Sequence, residues 1–189
     1  MITGIQFALQ AQSDMYDGIP YSKYDCQAFV EAVARDAGIR KPDGGIYNWK
    51  GSNHMWRAIH GWHGTIQSCV TEFGKIPPGA WVFICHHDGG EKDRGYNDNL
   101  GNFTHVGIYC HDGKMPVRDS TRFTGRDGVG YRAISAFTHV LLPDFIEYQN
   151  SPEPDTILED VKVFRNQKTS DKDWLTALGN ILNYLLKGD

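Results

Sequence analysis

The sequence feature that most constrains the fold is a helical segment that begins at a cysteine. Residues 24–33, Tyr-Asp-Cys-Gln-Ala-Phe-Val-Glu-Ala-Val, carry apolar side chains at helical spacing, and Gln27, Glu31 and Arg35 lie on a wetter face. This periodicity predicts an amphipathic helix with Cys26 in its first turn. Unpaired backbone N–H groups and the helix dipole favour an anion there, and therefore favour the thiolate. Two interpretations stay open, an activated nucleophile and a small buried residue.

A histidine on a later segment offers the cysteine a proton acceptor. Residues 103–110, Phe-Thr-His-Val-Gly-Ile-Tyr-Cys, form a short apolar run that is typical of a buried strand, with His105 near its start. A cysteine at a helix start, followed by a histidine on a strand, is the arrangement that activates a thiol by proton transfer. The pair therefore favours the nucleophile interpretation.

Four short motifs follow one another along the chain. They are Asp-Cys at 25–26, Pro-Gly-Ala-Trp-Val-Phe at 78–83, His-Val-Gly-Ile-Tyr at 105–109, and a polar strand at 113–120. In this order they resemble the signature of the NlpC-type cysteine peptidases, the bacterial and phage cell-wall endopeptidases with a papain-like fold. Each motif alone is a weak signal, whereas four in order are specific. The resemblance covers roughly residues 3–148.

The resemblance implies a cysteine hydrolase that cleaves amide bonds in peptidoglycan stem peptides without a metal or cofactor. Cys26 is then expected to attack the carbonyl carbon as a thiolate, and His105 to carry the proton to the leaving amine. Asp119 is expected to orient the imidazole ring. The backbone N–H of Cys26, at the helix start, is expected to stabilise the oxyanion.

The substrate side of the expected site involves residues just before the cysteine. The resemblance implies that a tyrosine upstream of the Asp-Cys pair lines the cleft, and Tyr21 matches that position. The spacing here is shorter than is usual in the family, so Tyr24 is a rival, and Asp25 is assigned to the same substrate or oxyanion region. Ala80 replaces a common aspartate and residues 27–28 replace a common Ser-Gly. The family's third polar residue is more often histidine, so the bond that is cut stays open.

Two other functions remain open at this stage. One is a CHAP-like N-acetylmuramoyl-alanine amidase, which uses the same Cys/His pair. The other is a catalytically idle wall-binding or phage structural component whose Cys26 is structural. The tripeptide at 138–140 repeats the Thr-His-Val of 104–106, but only His105 is followed by Gly-Ile-Tyr. We therefore expect His139 to be dispensable for catalysis.

The length of the chain bounds its domain organisation. With 189 residues, 40% of them hydrophobic, the chain can form one well-buried domain and a small appendage. We predict an α+β, papain-like fold at 1–148, with N-terminal helices packed on a small antiparallel β-sheet. A linker or extra strand is predicted at 149–168 and a C-terminal amphipathic helix at 169–189. The apolar stripe of residues 170–187 could dock on the catalytic domain, mediate oligomerisation or contact a larger particle.

The individual elements follow from capping residues and apolar runs. A helix is expected over 3–16, capped by Thr3, and a short helix over 52–59, capped by Ser52. Strands are predicted at 80–85, 103–110, 115–120, 128–134 and 140–142. Asp112-Gly113 is expected to form a hairpin turn. The polar segment 86–103 is expected to be a hairpin or lid beside the cleft, or a plain surface loop.

Charge and composition argue against several classes of partner. A net charge of -4 without a basic run gives no footprint for nucleic acid. The sequence contains no stretch of about 18 apolar residues and no basic n-region, so we expect neither a membrane span nor a signal peptide. Synthesis in the cytoplasm and action on the cell wall, as a phage or prophage product, would fit this pattern. His54, His60 and His63 lack the carboxylate of a zincin, so no metal site is expected.

Overall fold

The computed structural model describes residues 1–88, 95–111, 113–123 and 125–148. The predicted linker at 149–168 and C-terminal helix at 169–189 lie outside these residues, as does Asp112 of the predicted hairpin turn. Within the described residues the fold is α+β, as the sequence predicts. It combines four α-helices with a six-stranded antiparallel sheet.

The four described helices lie before residue 74, and all but one of the strands of the large sheet come after it. The helices are α1 (Gly4–Ala11), α2 (Cys26–Asp36), α3 (Ser52–Ala58) and α4 (Ile66–Phe73). The strands are β1 (Ile2–Thr3), β2 (Gly61–Thr65), β3 (Trp81–His86), β4 (Asn102–Tyr109), β5 (Val117–Thr121), β6 (Gly128–Arg132), β7 (His139–Pro143) and β8 (Ile146–Glu147). The large sheet has the order β2-β7-β3-β4-β5-β6, and β1 pairs with β8 in parallel.

Local hydrogen bonds explain where the helices begin. Thr3 and Gln6 form a reciprocal capping box at the start of α1, with N···O distances of 3.2 and 3.0 Å. This helix ends at Ala11, earlier than predicted. The predicted cap of α3 is wrong: Gly51, with a φ of 102°, is the N-cap, and the Ser52 hydroxyl instead donates to the carbonyl oxygen of Phe103 at 2.6 Å.

Helix α2 packs against β4 and β5 and forms the centre of the larger core. Phe29, Val30 and Val33 are fully buried in one cluster with Val106 and Ile108 of β4. Since burying each such side chain contributes about 1.5–3 kcal/mol, this contact holds α2 firmly on the sheet.

The polar face of α2 is covered by the chain rather than left in water. The Glu31 carboxylate accepts a hydrogen bond from the backbone N–H of Trp49, and the Gln27 amide oxygen accepts one from Gly51. Burial raises the pKa of Glu31 above its ordinary value, although the hydrogen bonds that Glu31 accepts from the Trp49 N–H and the Gln27 amide oppose the rise. The face that the sequence indicated as wet therefore holds the segment that precedes α3.

Two of the longer elements, β2 and α4, were not predicted, although the sequence carries their signals. Strand β2 pairs with β7 at the edge of the sheet, and α4 follows it directly. The Thr65 hydroxyl accepts from the backbone N–H of Ser68 at 3.1 Å, and Gly74 ends α4 in the left-handed conformation. A threonine cap and a terminal glycine are ordinary boundary signals, so this helix was predictable.

Part of the predicted lid or loop at 86–103 is described, and an arginine fastens it to α3. Arg57 donates to both carboxylate oxygens of Asp98 at 2.7 Å and to the carbonyl oxygen of Gly101 at 3.0 Å.

None of the described helices has the length and apolar character needed to cross a bilayer.

Candidate active site

Three elements bring the predicted nucleophile, base and orienting residue together. Cys26 is the first residue of α2, His105 lies on β4 and Asp119 on the neighbouring strand β5. The Nε2 atom of His105 lies 2.7 Å from the Oδ2 atom of Asp119. The His105 ring is also hydrogen-bonded to the Cys26 side chain. Because Nε2 faces the carboxylate, Nδ1 is the ring nitrogen available to the sulfur.

The protonation of this cluster is set by its internal contacts. Burial alone would lower the pKa of His105, but the hydrogen bonds to Asp119 and Cys26 outweigh it and raise that pKa to about 9. Burial likewise disfavours the Asp119 carboxylate, yet the hydrogen bond and charge of His105 and the charge of Arg126 lower its pKa. The arrangement therefore stabilises an imidazolium between two acidic groups at neutral pH.

Strand β5 is in contact with both halves of the site through alternate residues. Asp119 faces His105, whereas Arg118 and Ser120, on the other face of the strand, hold the segment that leads into Cys26. The Arg118 guanidinium pairs with Asp17, and the Ser120 hydroxyl donates to the carbonyl oxygen of Tyr24. The strand thus gives each of these three neighbours a different partner.

A glycine makes room for the contact between β4 and β5. Gly107 lies directly opposite Asp119 in the antiparallel register. A Cβ atom at position 107 would lie 2.7 Å from Val117 Cγ1 and 3.1 Å from Asp119 Cβ. The side chain of His105, two residues earlier, reaches Asp119 on the diagonal of this pair. The glycine of the His-Val-Gly motif thus has a steric reason.

The other residues predicted near the substrate have separate positions. The Asp25 carboxylate caps α2 by accepting from the backbone N–H of Ala28 at 2.8 Å. Burial, followed by the charges of Cys26 and Asp25, raises the pKa of the Tyr21 hydroxyl, so this side chain lies near the sulfur. The Tyr24 side chain is instead hydrogen-bonded to Arg35. Of the two rival tyrosines, Tyr21 is the one beside the site.

Two arginines that sequence reasoning missed also contact Asp119. Arg126 donates to Oδ1, and Arg132 donates to Oδ2 at 3.4 Å. Position 132 shares a face with Asp119 because Asp119 pairs with Gly130 and Val117 pairs with Arg132. The register of this hairpin, which sequence spacing did not supply, locates Arg132 beside Asp119.

The remaining histidines of interest lie elsewhere. His139, on β7, has its Nδ1 atom 2.9 Å from the Thr138 hydroxyl. The Nε2 atom of His63 lies 2.9 Å from the carbonyl oxygen of Trp56. Among the described residues, no group of three or more His, Cys, Asp or Glu side chains is placed to hold a metal ion.

A groove of about 820 Å³ lies away from these residues. It is lined in part by Met1, Gln6, Asp36 and Ala37, and so borders the end of α2 opposite Cys26. At the site itself, Cys26 and His105 are 7% and 9% exposed. The groove is therefore separate from the cluster of Cys26, His105 and Asp119.

Comparison with known proteins adds no assignment. No family model, no curated protein and no solved structure matches the chain.

Proposed function

We propose that this protein is a cysteine hydrolase that cleaves amide bonds in peptidoglycan stem peptides, with a papain-like fold of the NlpC type. The observation that carries the proposal is the position of the His105 ring between Cys26 and Asp119, at 2.7 Å from the carboxylate. The substrate class and the family rest on the order of the four sequence motifs. Action on the cell wall is part of the same proposal.

The chemistry would proceed in two steps. The Cys26 thiolate attacks the amide carbon, and an oxyanion forms. The oxyanion faces the backbone N–H at the start of α2, which has no acceptor within the helix and is therefore free to donate a hydrogen bond. The His105 imidazolium then gives its proton to the leaving amine, and a thioester remains. In the second step His105 removes a proton from water, which attacks the thioester and releases the carboxylic acid and the thiolate. Asp119 stabilises the imidazolium and holds its tautomer.

Mass analysis of digested peptidoglycan tests the reaction directly. Purified peptidoglycan is incubated with the protein and, as a control, with Cys26→Ala. We expect soluble fragments cut within the stem peptide, and none with the variant. Release of intact stem peptides with a free N-terminal alanine would instead assign the amidase activity. No Cys26-dependent release from several peptidoglycan types would contradict the hydrolase proposal.

Thiol labelling distinguishes an activated cysteine from a structural one without any substrate. Burial raises the pKa of Cys69 to about 11 and that of Cys110 to about 12, and burial also raises the pKa of Cys85. These three thiols serve as internal controls. We expect an alkylating reagent to modify Cys26 fastest near neutral pH, as read by peptide mapping. If Cys26 were the slowest of the four, the idle structural component would be favoured.

A further inference from the structure

The Asp119 carboxylate has more cationic partners than the orientation of a histidine requires. Its side chain is fully buried. Oδ2 accepts from His105 at 2.7 Å and from Arg132 at 3.4 Å, and Oδ1 accepts from Arg126. The same Arg126 nitrogen lies 3.3 Å from the Asp119 carbonyl oxygen. Arg126 therefore binds both the side chain and the backbone of this one residue.

The sheet leaves a space for the Arg126 guanidinium. Gly130 lies directly opposite Asp119 on β6. A Cβ atom at position 130 would lie 2.8 Å from both Cδ and Nη1 of Arg126. The Nη1 atom donates to the carbonyl oxygen of Tyr131 at 2.7 Å, which fixes the guanidinium over the glycine. With Gly107 on the opposite neighbour, Asp119 is flanked by glycine on both adjacent strands.

This geometry determines how the carboxylate is turned. Since Arg126 occupies Oδ1, Oδ2 is the oxygen that faces His105 Nε2. A carboxylate buried without such a partner would favour its neutral form, which would weaken its support for an imidazolium. Within the described residues, Asp119 is also the only carboxylate paired with Arg126 or Arg132. These cations therefore act on the orienting residue itself.

We propose that Arg126 is a positioning residue, assisted by Arg132, which turns Asp119 toward His105 and sets the pH range in which Cys26 is reactive. This inference rests on the proposed thiol chemistry but not on the identity of the substrate.

The charged groups that face the cluster come from four parts of the fold. Among the described residues, three cationic groups surround Asp119 of β5. They are His105 on β4, Arg126 in the β5–β6 connection and Arg132 on β6. On its other side, His105 faces Cys26 of α2. The sulfur is in turn close to Tyr21, which is near Asp25 and Arg122, the latter 5.3 Å from its ring. Removing one cation from this set favours proton binding at Asp119 and at the Cys26 thiolate, so the pH at which Cys26 becomes reactive moves up.

The test is the pH profile of Cys26 alkylation in the full chain. The acid limb of this profile is the pH range over which the alkylation rate rises. In Arg126→Gln we expect the acid limb to move up by about one pH unit, because a nearby cation lowers the pKa of a carboxyl group by about that amount or more. Arg126→Lys keeps the charge and should restore most of the limb position. Arg40→Gln removes the same charge from the far end of α2 and should leave the profile unchanged.

A second variant keeps the charge but displaces the guanidinium. In Gly130→Ala the new methyl group would meet the movable end of the Arg126 side chain, so folding should be little affected while the acid limb moves in the same direction as in Arg126→Gln. Thermal unfolding of each variant reports whether it folds. An unshifted limb in both Arg126→Gln and Gly130→Ala, or an equal shift in Arg40→Gln, would overturn the positioning role.

The outcome is separable from that of the digest. A shifted limb together with inert peptidoglycan would retain the positioning role and reject the substrate. An active enzyme with an unshifted limb would reject the positioning role alone. A Cys26 that never alkylates faster than the other three cysteines would reject both.

Discussion

The chain contains the tripeptide Thr-His-Val twice, and the two copies have opposite environments. His105 on β4 contacts Cys26 and Asp119, and these contacts raise its pKa to about 9 against the effect of burial. His139 on β7 packs edge-on against Trp56 and Phe103, with ring centroids 5.4 and 5.3 Å apart. Burial, and then the charge of His87, lowers the pKa of His139.

The difference lies in the neighbouring strand and in the residue that follows the tripeptide. Strand β4 has β5 beside it, which supplies Asp119, and Gly107 leaves space for that contact. The equivalent of Gly107 on β7 is Leu141, a fully buried core residue. Identical local sequences thus acquire different chemistry because the sheet order gives them different partners.

Removing each histidine in turn gives the largest expected contrast. Loss of general acid–base catalysis typically costs about 10²–10⁴-fold, so His105→Ala should abolish measurable hydrolysis. His139→Ala should retain most of the activity and lose about 0.5–3 kcal/mol of stability through lost ring packing. Rates of peptidoglycan hydrolysis and urea unfolding measure the two effects. The reverse pattern would assign the base to His139.

Weakening the partner of His105 should make it resemble His139. Asp119→Asn keeps the shape but offers a neutral group, so we expect turnover to fall by about one to three orders of magnitude. The free energy of unfolding should fall as well, because Arg126 and Arg132 lose their buried anionic partner.

The loss of turnover in Asp119→Asn should be smaller than in Cys26→Ala. An unaltered turnover in Asp119→Asn, together with a large loss of turnover in an Asp112 variant, would show that the orienting residue is Asp112.

Filling the space beside Asp119 tests the second difference between the two strands. Gly107→Ala places a methyl group against Val117 and Asp119, so overpacking should lower the free energy of unfolding by about 1–3 kcal/mol. Displacement of Asp119 should also lower turnover by about tenfold or more. Gly45→Ala, in a surface loop, is the control and should leave turnover unchanged. Full activity in Gly107→Ala would show that the close contact is not needed.

The two histidines should also change stability with pH in opposite directions. His105 holds its proton to about pH 9 when folded, but to only about 6.5 when unfolded. The contribution of His105 to the free energy of unfolding is therefore complete below about pH 6.5 and is lost as the pH rises through 9. His139, with a lowered pKa, contributes above about pH 6.5 and loses its contribution as the pH falls.

Urea unfolding between pH 5 and 9.5 measures this smaller effect. His105→Asn should remove part of the decline in stability toward alkaline pH, and His139→Asn part of the decline toward acid. Cys26→Ala should also reduce the alkaline decline, because Cys26 helps to raise the pKa of His105. Identical alkaline slopes in the wild type and His105→Asn would contradict the assigned protonation.

Local periodicity predicted the elements that carry the site. The helix begins at Cys26, and the apolar runs around His105 and Asp119 are strands. The α+β class follows from the same patterns. These features depend on neighbours in sequence, which is why one sequence was enough to locate them. The papain-like relationship and the catalytic role of the three residues stay predictions.

Features that depend on tertiary contacts were not predictable in the same way. Arg118 is 1% exposed and pairs with Asp17, because β5 is an inner strand whose two faces are both covered. Ser52 was expected to cap a helix, but a carbonyl oxygen on β4 takes its hydroxyl. Arg132 reaches Asp119 through the hairpin register, and Arg126 reaches it from the β5–β6 connection. Each of these contacts joins segments whose spacing no local pattern specifies.

Adjacent residues of β5 contact the segment before Cys26 on one face of the strand and His105 on the other. The predicted nucleophile and base are therefore attached to the same strand. A small displacement of this strand would carry the sulfur of Cys26 and the imidazole of His105 in the same direction. The distance between the two groups would then change little. A rotation of β5 about its own axis would instead move its two faces oppositely and widen that gap. We therefore expect the contact between Cys26 and His105 to be less sensitive to translation of β5 than to its rotation.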